Sequence, residues 1–182
     1  PWQLFDLSHL GIATGALVGV LVYECIGYFY HRGMHASDLL WRGLHQMQHS
    51  AERIDAWSAF WFHPFDMIGW TVMSSLALTL VVGLSTSATT AALLVFTLLS
   101  IFQHTNVRTP RWLGYIVQRP ESHSWHHARG RHRNNYADVP LFDILFGTFD
   151  NPHDFAPATG FYDGASSRIG DMLLFREVSV NP

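Results

Sequence analysis

The sequence predicts an all-α fold: a polytopic bundle of membrane helices with a cytoplasmic, histidine-rich helical cap. Three observations predict it. Apolar runs long enough to matter recur three times in a chain that is only 14% charged. Histidines gather at the ends of those runs, and every arginine falls on the side that carries them. At 182 residues the chain is read as a single domain, 1–182. It does not begin with methionine, which leaves room for sequence upstream of Pro1.

The first run, residues 10–30, holds one charge, Glu24. It is long enough to cross a hydrocarbon core about 30 Å thick. The second, 65–83, carries only Asp66, at its start, and the third, 88–103, is shorter. Between them "GLSTSATT" is small and uncharged and reads as a hairpin tip. A soluble bundle would need more polar surface than three such runs leave. Counting crossings puts residues 31–64 and 104–160 on one face, so every clustered histidine lies there. All eleven basic residues are arginines, from Arg32 onward, and the tip and residues 1–10 have none. The positive-inside rule makes the histidine face cytoplasmic, as in a bacterial inner membrane. The stretch "NVRTPRWLGYIVQRP" mixes arginine with Trp112, Tyr115 and Ile116 and suits the membrane interface. The polar tail, 161–182, is expected to pack loosely over the cap or form an edge.

A lone cysteine, Cys25, excludes a disulfide framework and Cys-rich metal sites. A net charge of −3 gives no broad basic face for nucleic acid. Nine of the twelve histidines fall in short clusters or at the ends of the apolar runs, with His132 near the last of them. His31/His35 and His45/His49 are four apart, and His123, His126 and His127 sit at i, i+3 and i+4, so each set shares a helical face. Neutral imidazole suits zinc, copper, iron or nickel. Eight or nine such ligands are too many for one ion and suit two. Taken singly, His31/His35 would pass for a polar helix cap, and His63 and His104 would be dismissed. His9, His132 and His153 fit no cluster and read as solvated loop histidines. A zinc protease needs HExxH, and here the intervening residues are Arg-Gly-Met and Gln-Met-Gln. No Ser-His-Asp signature, phosphate loop or dinucleotide fingerprint is visible.

The order HxxxH, HxxxH(S), "FHP", "FQHTN", HxxHH and "NNYADVPLFDILFGTF" resembles the fatty acid hydroxylase/sterol desaturase superfamily of integral-membrane non-haem diiron enzymes. The likeness covers about residues 20–160 and is specific to the superfamily, not to a substrate. It implies metal ligands at His31, His35, His45, His49, His104, His123, His126 and His127, with His63 held less firmly. The catalytic machinery is then the metal ligands themselves. Gln48 stands where the family has a histidine. The site tolerates it as a ligand or as a group bonded to a ligand, or one metal position is weakened, or the chain is an inactive relative. Asp38, Asp55, Asp138 and Asp143 are candidates to orient the ligands, Asp143 first. Asn135 and Tyr136 resemble the family's "NYG" and would shape the loop under the last box. The resemblance implies two iron ions (zinc possible in purified protein), O2 as co-substrate and a lipid-like substrate. Electrons would come from outside, from a reductase, ferredoxin or cytochrome b5-like donor, because the chain carries no flavin or nicotinamide motif. The run "WSAFWFHPF" is a candidate wall for the substrate. The alternative is a metal-binding, non-catalytic membrane relative.

Overall fold

The computed structural model describes residues 2–181, and among these residues it is helical with no strand. Helix α1 (Ile12–Ala36) is followed by α2 (Asp38–Leu40), a π-helical turn (Trp41–His45) and α3 (Gln46–His49). Then come α4 (Pro64–Ser75), prolonged by a second π-helical stretch (Leu76–Val81), and α5 (Thr86–Gln103). The cap closes with α6 (Pro120–His126), α7 (Leu141–Leu145) and α8 (Ile169–Leu173). Three helices, Ile12–Ala36, Pro64–Val81 and Thr86–Gln103, are long and apolar enough to cross a membrane, which makes this an integral membrane protein.

The bounds differ from the expected spans in instructive ways. The first helix runs to Ala36 instead of stopping near residue 30, because Tyr28, His31 and Met34 continue its buried stripe. The third starts at Thr86, where the Ser85 hydroxyl accepts the Ala88 N–H at 3.3 Å as an N-cap. The second ends in a π-turn whose last carbonyls accept backbone N–H groups of Leu4, Phe5 and Leu7.

Helices α1 and α5 approach closely because both present small residues. A Cβ on Gly15 would meet Ala88 Cβ at 2.8 Å, and one on Gly19 would meet a Leu84 methyl at 2.7 Å. Small residues four apart let membrane helices pack backbone to backbone where lipid offers no hydrophobic drive. Ala16, Val20, Leu78, Ala92 and Phe96 fill the seam. Leu17, Ile68, Val72, Leu94 and Leu98 point outward and are exposed, as lipid-facing positions are. Trp112, Tyr115 and Ile116 are likewise exposed, in the arginine-bearing stretch read as interfacial.

The cap is rigid where it carries histidines. Arg119, 1% exposed, donates to Asn151 Oδ1 (2.7 Å), Pro152 O and Thr109 O, and pairs with buried Glu121 at 3.0 Å. Glu121 in turn accepts the Thr109 N–H and hydroxyl. This satisfied network fixes the start of α6, the helix that bears His123 and His126. The tail corrects an expectation: it does not pack loosely. Phe161, Ala165, Met172 and Val178 form a buried core with Met47. The Gln46 amide donates to Arg176 O at 2.8 Å and accepts from Val178 N at 3.1 Å. Apolar residues spaced among the polar ones carry that packing.

Candidate metal centre

Two groups of histidines converge where the ends of α1 and α5 meet the cap. In the first, ring nitrogens of His31, His35, His45, His49 and His126 lie within 4.8 Å of one another. In the second, His104, His123 and His127 do the same. His49 and His127 stack with ring centroids 4.1 Å apart, so the two groups are neighbours.

Backbone and carboxylate partners aim these rings. His31 Nδ1–H donates to Tyr136 O (2.7 Å), and His126 Nδ1–H donates to Asn134 O (2.6 Å). His45 Nδ1–H donates to Asp66 Oδ2 (3.0 Å). His49 Nδ1 meets His132 Nδ1 at 3.0 Å. A neutral imidazole has one N–H, so a ring that donates from Nδ1 presents a bare lone pair at Nε2. His31 Nε2 and His45 Nε2 nevertheless stand 2.9 Å apart, and His35 Nε2 lies 3.3 Å from His31 Nε2. The Nε2 atoms of His49 and His126 are buried without a partner. Facing lone pairs repel unless a cation lies among them, so these five residues fit a metal ion.

The second group is less completely supported. His104 Nδ1–H donates to Ser100 O at 2.7 Å, leaving its Nε2 bare, 3.1 Å from His123 Nε2. His127 Nε2 lies 3.1 Å from His123 Nε2. The Nδ1 atoms of His123 and His127 are buried with no partner. Gln48 fills the fourth side: its Nε2–H donates to His104 Nε2 at 3.2 Å, and its Oε1 is buried and unpartnered. With the amide turned about, its oxygen would be a weaker, harder donor than imidazole.

Burial keeps the rings of the cap neutral. It holds His49, His123, His126 and His127 well below the ordinary histidine pKa, with neighbouring histidines adding to the effect. His104 is lowered to about 4 by the same desolvation. Neutral rings are the form that binds metal.

Beside both groups lies a cavity of about 420 Å³, within the usual range for a small-molecule site. His31, His45, Gln48, His104 and His123 form its polar end. Phe60, Met67 and Leu93 line it too and are exposed on the outer surface, so it reaches the lipid-facing side. The aromatic run divides: Phe60 and Phe62 line the cavity, whereas Trp57 is exposed and Trp61 donates to Ser50 Oγ.

Eight of the nine expected histidines thus come together, and His63 does not. Its Nδ1 accepts the Phe65 N–H at 3.2 Å and its ring packs near Phe175, which makes it the N-cap of α4. Asp143 touches no histidine. It accepts the N–H groups of Tyr136 (2.8 Å) and Ala137 (2.9 Å) and the Thr148 hydroxyl, holding the loop that supplies the carbonyl for His31. Asn135 is buried in the same loop, bonded to Ser122 O and to both backbone groups of Asp150. Asp38 is exposed, Asp55 caps a turn at Trp57 and Ser58, and Asp138 accepts from Gln103. The carboxylate that does orient a ligand is Asp66, whose only sequence signal was a charge opening an apolar run. His132 is a second correction. It is half-buried against His49 instead of solvated, and burial lowers it to about 4. Residues His132, Asn134 and Asn135 all have positive φ, which wraps the loop around the first group.

No curated protein and no solved structure matches the chain. The model of the fatty acid hydroxylase family matches residues 16–148, a stretch that contains all eight converging histidines and Gln48. The chain belongs to the fatty acid hydroxylase family, within the sterol desaturase/fatty acid hydroxylase superfamily.

Proposed function

We propose that this protein is a membrane hydroxylase or desaturase that holds two irons and uses O2 to oxidise a lipid-like substrate. The observation that supports it is the pair of adjoining histidine groups whose ring nitrogens converge, with the deprotonated Nε2 atoms of His31 and His45 facing each other at 2.9 Å. His31, His35, His45, His49 and His126 would hold one ion; His104, His123 and His127, with Gln48 as fourth donor or through a water, would hold the other. The chemistry that such a pair supplies when bound is oxygen activation at an unactivated C–H bond. The protein's own part is positional. Asp66, Tyr136 O, Asn134 O and Ser100 O fix the tautomer and direction of their rings. Tyr23, Trp70 and Phe96 give the cavity an apolar wall that excludes water and holds a substrate carbon beside the histidines. Substrate enters from the bilayer past Met67 and Leu93. An external donor on the cytoplasmic face supplies electrons, consistent with arginines confined to the histidine side.

Gln48 and the unpartnered Nδ1 atoms of His123 and His127 favour a second reading, in which the second position is weak and the chain is a non-catalytic metal binder. Elemental analysis of detergent-purified protein grown with iron separates the two, with Gln48→His alongside. Near two irons per chain in both proteins, with O2 uptake once reductant and lipid are added, is the expected result. One iron rising to two in the variant would favour the weakened site. Zinc alone, or no metal in either, would sink the oxygenase reading.

A further inference from the structure

The cavity beside the histidines has a second polar end, which the metal centre does not use. Glu24 lies seven residues before His31 on the same face of α1, about 10 Å away along the helix axis. It is 2% exposed and lines the cavity. Its Oε2 accepts the Val139 N–H at 3.1 Å, while its Oε1 is buried with no partner. Asp138 and Gln103 line the same end, and the Gln103 amide donates to Asp138 Oδ1 at 2.7 Å. A carboxyl inside a membrane span is costly and calls for a partner.

We propose that Glu24, with Asp138 and Gln103, is a headgroup subsite that selects a lipid bearing a neutral hydroxyl and rejects a free fatty acid carboxylate. This rests on the reading of the cavity as the substrate site. The subsite is rich in acceptors: two carboxyl groups and the Gln103 carbonyl, against the Gln103 amide, already given to Asp138, and the Tyr23 hydroxyl that lines the cavity. A hydroxyl supplies the missing donor and can also accept, so it suits either protonation state of the carboxyl pair. Burial pushes Asp138 up to about 7, so that state changes near neutrality. A third carboxylate would meet like charge in a low-dielectric pocket. The spacing makes the subsite a ruler as well: a hydroxyl docked at Glu24 leaves a carbon about 10 Å away beside the histidines.

The test is binding of three 16-carbon probes, 1-hexadecanol, its methyl ether and palmitate, by competition against tritiated hexadecanol on the full chain in detergent. The methyl ether is expected to bind about three- to tenfold more weakly than the alcohol, the loss of one hydrogen bond. Palmitate is expected to bind more weakly still. Glu24→Leu should erase the alcohol–ether difference. Glu24→Gln keeps an oxygen for the Val139 N–H, guards against misfolding, and should improve palmitate relative to the alcohol. Equal binding of the three probes by the wild type, palmitate binding best, or a preference that survives Glu24→Leu would overturn the subsite. Because the assay reads binding alone, a failed oxygenase reading leaves it intact. No saturable binding of any probe would overturn both the subsite and the cavity as a lipid site.

Discussion

Asp66 sits fully buried at the first turn of α4, with Oδ2 on His45 and Oδ1 unpartnered. Such a carboxylate fixes the tautomer and direction of the imidazole it holds. Removing it leaves His45 free to turn and its Nδ1–H buried without an acceptor. Asp66→Ala is expected to weaken the ion in the five-histidine group by about 10–100-fold, and Asp66→Asn, which keeps an acceptor oxygen, by less. Chelator competition on the purified protein reads this directly. An ion held by His104, His123 and His127 should be little affected, since Asp66 touches none of them. Equal loss from both positions would mean that Asp66 maintains the fold instead of the ligand. Asp66 and His132 were missed in the sequence for the same physical reason. Each lies more than fifteen residues from the ring it contacts, and nothing in local spacing reports a contact made across the fold. The eight converging histidines were legible because helical spacing is itself local.

The α1–α5 seam depends on the absence of side chains. Gly15→Ala would improve helix propensity by up to about 1 kcal/mol, yet its Cβ would stand 2.8 Å from Ala88 Cβ, a rigid atom that has no rotamer to move aside. Overpacking of this kind costs about 1–3 kcal/mol, so the clash wins and the variant should be less stable. Gly33→Ala on the same helix meets nothing within 4 Å and should be neutral or stabilising. Adding Ala88→Gly to Gly15→Ala should restore most of the loss, a coupling that thermal unfolding in detergent would detect as non-additivity. Additive effects would mean that the two residues do not meet. The helices themselves were readable as apolar runs, to within a few residues at each end. The loop at 131–137 was not. Its shape comes from left-handed backbone at His132, Asn134 and Asn135 and from Asp143 collecting its N–H groups, neither of which has a periodic signature. The tail escaped notice because its polar composition conceals the few apolar residues, Ala165, Met172 and Val178, that are fully buried.

Taken as a whole, the molecule places eleven of its twelve imidazoles at one end of an apolar bundle, eight of them in two buried groups, and its stability should record that crowding. His49, His104, His123, His126, His127 and His132 are all lowered from 6.5 by burial, with His104 and His132 at about 4. Above pH 6.5 these rings are neutral in both folded and unfolded chains and contribute no pH dependence. Below it the unfolded chain takes up protons that the folded chain refuses, so stability falls as pH drops from 6.5 toward 4. Each fully responding ring contributes about 1.4 kcal/mol per pH unit. Asp138, raised to about 7, works in the opposite direction: the folded chain keeps a proton that the unfolded chain loses above 3.8, so its contribution falls as pH rises through that window. Asp143, also raised by burial, acts in the same direction as Asp138, and six histidines outweigh two aspartates. The metal-free protein should therefore lose thermal stability steeply between pH 6.5 and 5, and loaded protein should release metal over the same interval as protons compete for the ligands. Melting curves of chelator-treated and metal-loaded protein across pH 5–8 would check both. A flat profile in the metal-free protein would mean that the cluster opens to water without metal, and that the ion, more than the surrounding fold, holds the rings together.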